Sequence, residues 1–242
     1  MVEHRDRLRF EVPLYTVTDA ARIVDVPVST LSTWVQGYTR RFPDRPDVIG
    51  DPIIKYMKPE GPRRPSIPFV GLTEATVLAA IRRSGVSMQR IRPALRALKA
   101  DLGLDHALAS RRLYTDGAEL LFDYAESGAD TEVARAEALR LVVVRSGQRV
   151  FTPIVHEYLR RIAYAADGYA ELIHVPVYQH AEVVVDPKRA FGAPIFESGG
   201  ARIDDVLHRF WSGESLDELS TEFGVPLSQL EDVLRVASRW AA

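Results

Sequence analysis

The 242 residues carry 31 Lys and Arg against 33 Asp and Glu, with 46% apolar residues and no cysteine. That length and apolar fraction allow one, two or three compact domains and exclude a wholly disordered chain; the missing cysteines exclude disulfides, thiolate nucleophiles and cysteine-based zinc sites. The balanced total hides an uneven distribution: residues 1–100 hold 17 basic and 10 acidic residues, and residues 101–242 hold 14 and 23, so one end suits a polyanion and the other does not.

The opening MVEHRDRLRFEV has charges but no signal-peptide hydrophobic core, and no apolar run reaches the roughly 18 residues that span a bilayer; a cytoplasmic protein without membrane contact is expected. From Thr16 to Gln36 the order TVTDAARIVDVPVSTLSTWVQ predicts two short helices. Thr18 and Asp19 cap the first, Asp25-Val26-Pro27 interrupts it, and Ser29 starts the second. Leu31 and Trp34 or Val35 form the buried stripe of that second helix, while Ser29, Thr30, Ser32, Thr33 and Gln36 line the other face with small hydrogen-bonding groups of the kind that base and phosphate contacts use. A helix-turn-helix entering a DNA groove fits this order; an ordinary helical hairpin with a solvated polar face would share it.

GYTRRFPDRPDVIGDP then reads as loop, and PIIKYM and PSIPFV as two extended runs about Lys58–Pro65, a two-stranded wing with a basic tip. Arg40, Arg41, Lys55, Lys58, Arg63 and Arg64 would flank the polar helix and meet phosphates; an irregular loop with solvated charges is the plainer reading. A helix capped by Thr73 with Val77, Leu78 and Ile81 on one face ends near Ser84-Gly85, and a second runs from Ser87 through Met88, Ile91, Leu95 and Leu98, its Arg90, Arg92, Arg96 and Lys99 on the remaining surface. Over residues 14–100, TVTDAARIVDVPVSTLSTW and the elements after it resemble the DNA-binding domain of the MerR family, with Tyr38, Arg40 and Arg41 echoing the aromatic and arginine residues that follow its recognition helix.

From about 110 to 185 the period shortens. Arg112–Thr115 and Glu119–Asp123 are β-like runs joined through Asp116-Gly117; Leu139–Val144 and Arg149–Phe151 flank Ser146-Gly147 as a second hairpin; Pro153–Ala165 reads as a helix, and Leu172–Val177 and Glu182–Val185 as strands. The last sixty residues pass from a strand through a Gly- and Pro-rich turn into three helical patterns: Ile203–Trp211, one opened by Ser215 and stopped at Gly224, and one from about Pro226. Their order resembles the domain-of-unknown-function family 433 over residues 182–242, with Phe191-Gly192-Ala193-Pro194 and Gly200-Ala201-Arg202 where that family has Gly-Gly-Lys-Pro and Gly-Thr-Arg. The final helices expose Glu214, Asp217, Glu218, Glu222, Gln229, Glu231 and Asp232, a surface suited to a protein partner and repelled by phosphate.

Catalytic signals are sparse. The six histidines show no metal-ligand spacing; His174 and His180 with Glu182 are the nearest approach to one, and half-buried strand histidines explain them more simply. No enzyme activity, metal or cofactor is expected. The fold class expected is α+β: a winged helix-turn-helix over residues 1–105, a small mixed β region over 106–181 and a C-terminal tri-helical, helix-turn-helix-like domain over 182–242. This combination resembles the VapB-like antitoxins of type II toxin–antitoxin pairs. The resemblance implies a PIN-like ribonuclease toxin as partner, repression of the chain's own operon, double-stranded operator DNA as ligand and a homodimer. The alternative is a stand-alone MerR-like regulator whose residues 110–185 hold a small effector, with Tyr114, Phe122, Tyr124, Phe151, Tyr158, Tyr164 and Tyr178 as candidate lining.

Overall fold

The computed structural model describes residues 6–41, 44, 47–59, 61, 63–129, 131–145 and 148–241. Asp6 caps a first turn of helix, α1 (Arg7–Phe10), by accepting from the Leu8 N–H at 3.1 Å. Strand β1 (Pro13–Tyr15) leads into α2 (Val17–Ile23) and α3 (Val28–Gln36). A hairpin of β2 (Tyr38–Arg40) and β3 (Val48–Gly50) follows α3 directly, and β4 (Ile67–Pro68) returns to pair antiparallel with β1.

The expected strands PIIKYM and PSIPFV do not pair with each other. Two donors between Pro52 and Met57 go elsewhere, Ile53 N–H to the Trp34 carbonyl at 2.9 Å and Lys55 N–H to a Glu74 carboxylate oxygen at 2.6 Å, while the Met57 N–H makes a lone bond to the other run, at the Ser66 carbonyl, at 2.8 Å, without a strand ladder. With those bonds made, the segment runs as a strap between the end of α3 and the next helix, and the two-stranded element lies earlier in the chain.

That next helix, α4 (Phe69–Arg83), begins four residues before the expected Thr73 cap, because Pro68 is extended and Thr73 sits inside the helix, its hydroxyl donating to the Phe69 carbonyl at 3.1 Å. Every residue from Phe69 to Ile81 is buried, so α4 is the central rod of the molecule and not a one-faced surface helix. Its only acid, Glu74, is satisfied by the Lys55 N–H and lies 3.5 Å from His106 Nδ1. Ser84-Gly85 ends α4 and α5 (Met88–Leu102) follows, stopped by a left-handed Gly103.

The expected hairpin through Asp116-Gly117 is a single helix, α6 (Arg111–Asp123), capped by Ser110 and extended by a π turn over Tyr124–Gly128. Gly117 is not a turn residue. A Cβ there would lie 3.0 Å from both Leu113 Cδ1 and Phe151 Cζ, so the glycine makes room for the Phe151 ring against the helix. Helix α7 (Glu132–Leu139) joins α6 against α5. The second hairpin is present as β5 (Val142–Arg145) and β6 (Gln148–Phe151), paired in register; its turn residues 146 and 147 lie outside the described residues. Helix α8 (Pro153–Arg160) packs on α4.

Strands β7 (Ile162–Tyr164), β8 (Ala170–His174), β9 (Val183–Val185) and β10 (Ile195–Phe196) form an antiparallel meander in the order β10-β9-β8-β7. Three helices close the chain: α9 (Ile203–Trp211), α10 (Leu216–Phe223) with a Ser215–Glu218 capping box and a left-handed Gly224, and α11 (Leu227–Ala241). The Tyr124, Phe151, Tyr158 and Tyr178 rings are buried in a single apolar cluster that runs from Tyr15 to Ala237. Two ties bind chain ends distant in sequence. Arg9, buried, donates to Asp167 and to the Tyr169 and Ala170 carbonyls, and Asp232, 2% exposed, accepts from the Gln179, His180 and Ala181 N–H groups at 2.7, 2.7 and 3.0 Å. Asp232 is therefore not part of an exposed acidic surface. Arg209 further binds Glu214 and Glu222, which reduces that surface's free charge.

Candidate nucleic-acid interface

The two short helices owe their angle to three local devices. Thr16, not Thr18, caps α2: its hydroxyl accepts from the Asp19 N–H at 3.1 Å while the Asp19 carboxylate accepts from the Thr16 N–H at 3.3 Å and hydroxyl at 2.6 Å, a complete capping box. Asp25 turns the chain with φ 53°, an uncommon backbone for a non-glycine residue. Arg83 at the end of α4 holds that turn by donating to both the Asp25 carboxylate and the Asp25 carbonyl. Pro27 then caps α3, which starts at Val28, one residue before the expected Ser29, and the Pro27 carbonyl accepts from Thr30 and Leu31.

Leu31, Trp34 and Val35 are buried, which anchors α3 and leaves Ser29 and Gln36 exposed with Thr30, Ser32 and Thr33 half-buried. The Thr33 hydroxyl donates to the Ser29 carbonyl at 2.9 Å; the other side chains of that face keep their donors and acceptors open among the described residues. The helix VSTLSTWVQ has no charge of its own, so any attraction to phosphate has to come from its surroundings.

Thr30 and Thr33 face a groove of ≈ 330 Å³ whose other wall brings Tyr38 from β2, Arg82 from the end of α4 and Ser87 and Arg92 from the start of α5. Arg92 is fixed there, donating to the Asp51 carbonyl with its guanidinium 5.4 Å from the Tyr38 ring centroid. Burial pulls the Arg92 pKa down, with Tyr38 and Asp51 opposing. Arg82 is exposed. The helical pattern of the sequence puts Arg92 on a solvated face and gives Arg82 no role. The available signal was the pair of basic runs IRR and QRIR on either side of the α4–α5 turn, which any tight turn brings together.

The remaining candidates are dispersed. Arg41 is exposed just past β2, and the Arg40 side chain lies outside what the structure describes. Lys58, Arg63 and Arg64 are exposed in the loop closed by the Met57–Ser66 hydrogen bond, with Arg63 at φ 58°, and none of them lines the groove. Among the described residues no group of three or more His, Asp or Glu is placed to hold a metal ion, and His174 lies 3.8 Å from Glu197, a partner not expected from the sequence. No helix among the described residues is long and apolar enough to cross a membrane.

Residues 13–95 match a family described as "Putative DNA-binding HTH domain", the span that holds α2, α3, the hairpin and the groove. A Mycobacterium tuberculosis protein named "Putative antitoxin VapB45" is 45% identical over 227 residues, covering 94% of this chain and 95% of that protein. A second from the same organism, "Uncharacterized protein Rv2308", is 25% identical over 232 residues, covering 94% and 91%. The crystal structure of Rv2018 from Mycobacterium tuberculosis matches with a TM-score of 0.83 at 42% identity, over 94% of this chain and all (100%) of that one. With nearly half of its residues shared along nearly the whole of both sequences, the chain belongs to the family of the VapB45 protein and carries a helix-turn-helix DNA-binding domain within it.

Proposed function

We propose that this chain is an antitoxin that binds operator DNA through α3 and binds and neutralises a PIN-like ribonuclease toxin, repressing its own operon in the cytoplasm. The observation that carries the reading is the end-to-end likeness to VapB45, at 45% identity. The geometry supports the DNA half. An uncharged polar helix stands beside the exposed Arg82, so hydrogen-bonding groups meet base edges while that cation meets an adjacent phosphate, and Arg92, held on Asp51 and Tyr38, shapes the groove wall. Ser29, Thr30, Ser32, Thr33 and Gln36 are the base-reading candidates; Arg40, Arg41, Lys58, Arg63 and Arg64 are the phosphate candidates, with the β2–β3 hairpin in the place of a wing. A homodimer would set two copies of α3 about 34 Å apart in successive major grooves of a palindromic site.

The acidic half supports the toxin. Residues 101–242 hold 23 acidic and 14 basic residues, a balance suited to covering a basic RNA-binding cleft and to fast association with it. Co-expression with the neighbouring small reading frame, followed by size-exclusion chromatography and a ribonuclease assay, tests this half. Co-elution with loss of nuclease activity is expected; separate elution with undiminished activity would contradict it.

A further inference from the structure

A cavity of ≈ 730 Å³ opens between the helix-turn-helix and the C-terminal helices, within the range of about 300–1000 Å³ typical of small-molecule sites. Tyr15 and Arg22 form one wall, Arg202 and Trp211 the other, and Phe191 stands on the connecting turn. Two features distinguish it from a packing defect. Phe191 is 89% exposed and Trp211 64%, so two large aromatic rings at one opening lie uncovered. The turn that carries Phe191 places Ala190, Phe191 and Gly192 at φ 47°, 52° and 77°, three successive left-handed residues of which two have a Cβ, an uncommon backbone at the cavity's edge. Gly192 is required where it stands, since a Cβ would lie 2.4 Å from the Tyr15 hydroxyl oxygen.

The polar groups of the cavity are unequally used. Asp19 is occupied by the Thr16 capping box, and Asp204 lies 3.9 Å from Arg202. Arg22 has no side-chain partner among the described residues, and the Tyr15 hydroxyl is buried without a hydrogen bond, a cost of about 1–3 kcal/mol that a ligand acceptor would remove. Arg22 and Tyr15 thus bring two unpaired donors to the lining of a largely apolar space edged by aromatic rings.

We propose that this cavity binds a small aromatic carboxylate, its ring against Phe191 and Trp211 and its carboxylate toward Arg22 and the Tyr15 hydroxyl. Such a ligand bridges α2 of the helix-turn-helix to α9. The proposal does not depend on the antitoxin reading. Isothermal titration of the full chain with 1-naphthoate tests it, with 1-naphthalenemethanol as the neutral counterpart. Saturable one-to-one binding of naphthoate is expected, weakened about tenfold or more by Phe191→Asn and by Trp211→Ala, both surface changes compatible with the fold. Arg22→Gln should weaken the carboxylate and leave the alcohol unchanged. Absence of saturable binding, equal affinity in all variants, or no preference for the carboxylate would overturn the proposal. So would Phe191 and Trp211 variants that bind naphthoate normally but lose a protein partner, which would make the rings a docking patch.

Discussion

Asp232 lies in the second turn of the last helix yet fixes the loop at 179–181, and its three backbone partners have no other acceptor among the described residues. Burial raises its pKa, but the three N–H bonds outweigh burial and hold it below the ordinary carboxylate range. Asp167 behaves alike: burial raises its pKa, and the bonds from Arg9 and the Tyr169 N–H reverse the sign. Both folded-state values lie below the unfolded value of about 3.9, so the stability they contribute is complete above that pH and is lost as pH falls through the folded values. Asp232→Ala strands one buried and two part-buried donors and should cost about 1–3 kcal/mol, read as a fall in the urea midpoint at neutral pH. Asp232→Asn should flatten the stability profile as pH falls below about 4; an unchanged profile would show that the carboxylate's charge is not what holds the loop.

At the scale of elements, Gly37 joins α3 to the β2–β3 hairpin with φ 73°, and a Cβ there would lie 2.3 Å from the Gly50 carbonyl oxygen. Gly37→Ala should cost about 2 kcal/mol in a thermal melt and weaken DNA binding by displacing the hairpin; a variant with wild-type stability would refute the close approach. This junction was hidden in the sequence. Tyr38–Arg40 has too few residues to show alternation, whereas PIIKYM has the composition of a strand but spends its donors on α3, Glu74 and Ser66. Local pattern also misled at Asp116-Gly117, where the glycine serves tertiary packing of Phe151 and the helix continues through it. Where the signals were local, the reading succeeded. The α2–turn–α3 order, the end of α4 at Ser84-Gly85, the 142–151 hairpin, and the Ser215 cap and Gly224 stop of α10 all rest on capping, turn or periodicity rules within one segment. The polar face of α3 was legible for the same reason. The groove opposite it was not, because Arg82 and Arg92 reach it only through the packing of α4 and α5.

For the whole molecule, the uneven charge matters more than the total. The basic first hundred residues carry the matched DNA-binding span, and the exposed cations of the 58–64 loop sit on that same portion. Arg63→Ala and Arg64→Ala should each weaken binding to every duplex and lower the slope of log K against log salt by about 1; unchanged affinity and slope would remove that loop from the interface. Replacing base-reading side chains has the opposite signature, a loss of preference with little change in salt slope. The most direct test of the account is therefore fluorescence anisotropy over a salt series, comparing the duplex upstream of the chain's own reading frame with an unrelated duplex, for wild type and for Ser29→Ala/Gln36→Ala. Wild type is expected to prefer the upstream duplex, and the double variant to lose this preference while keeping its salt slope. A wild-type chain that binds neither duplex, or a variant that retains the full preference, would contradict α3 as the DNA-reading element.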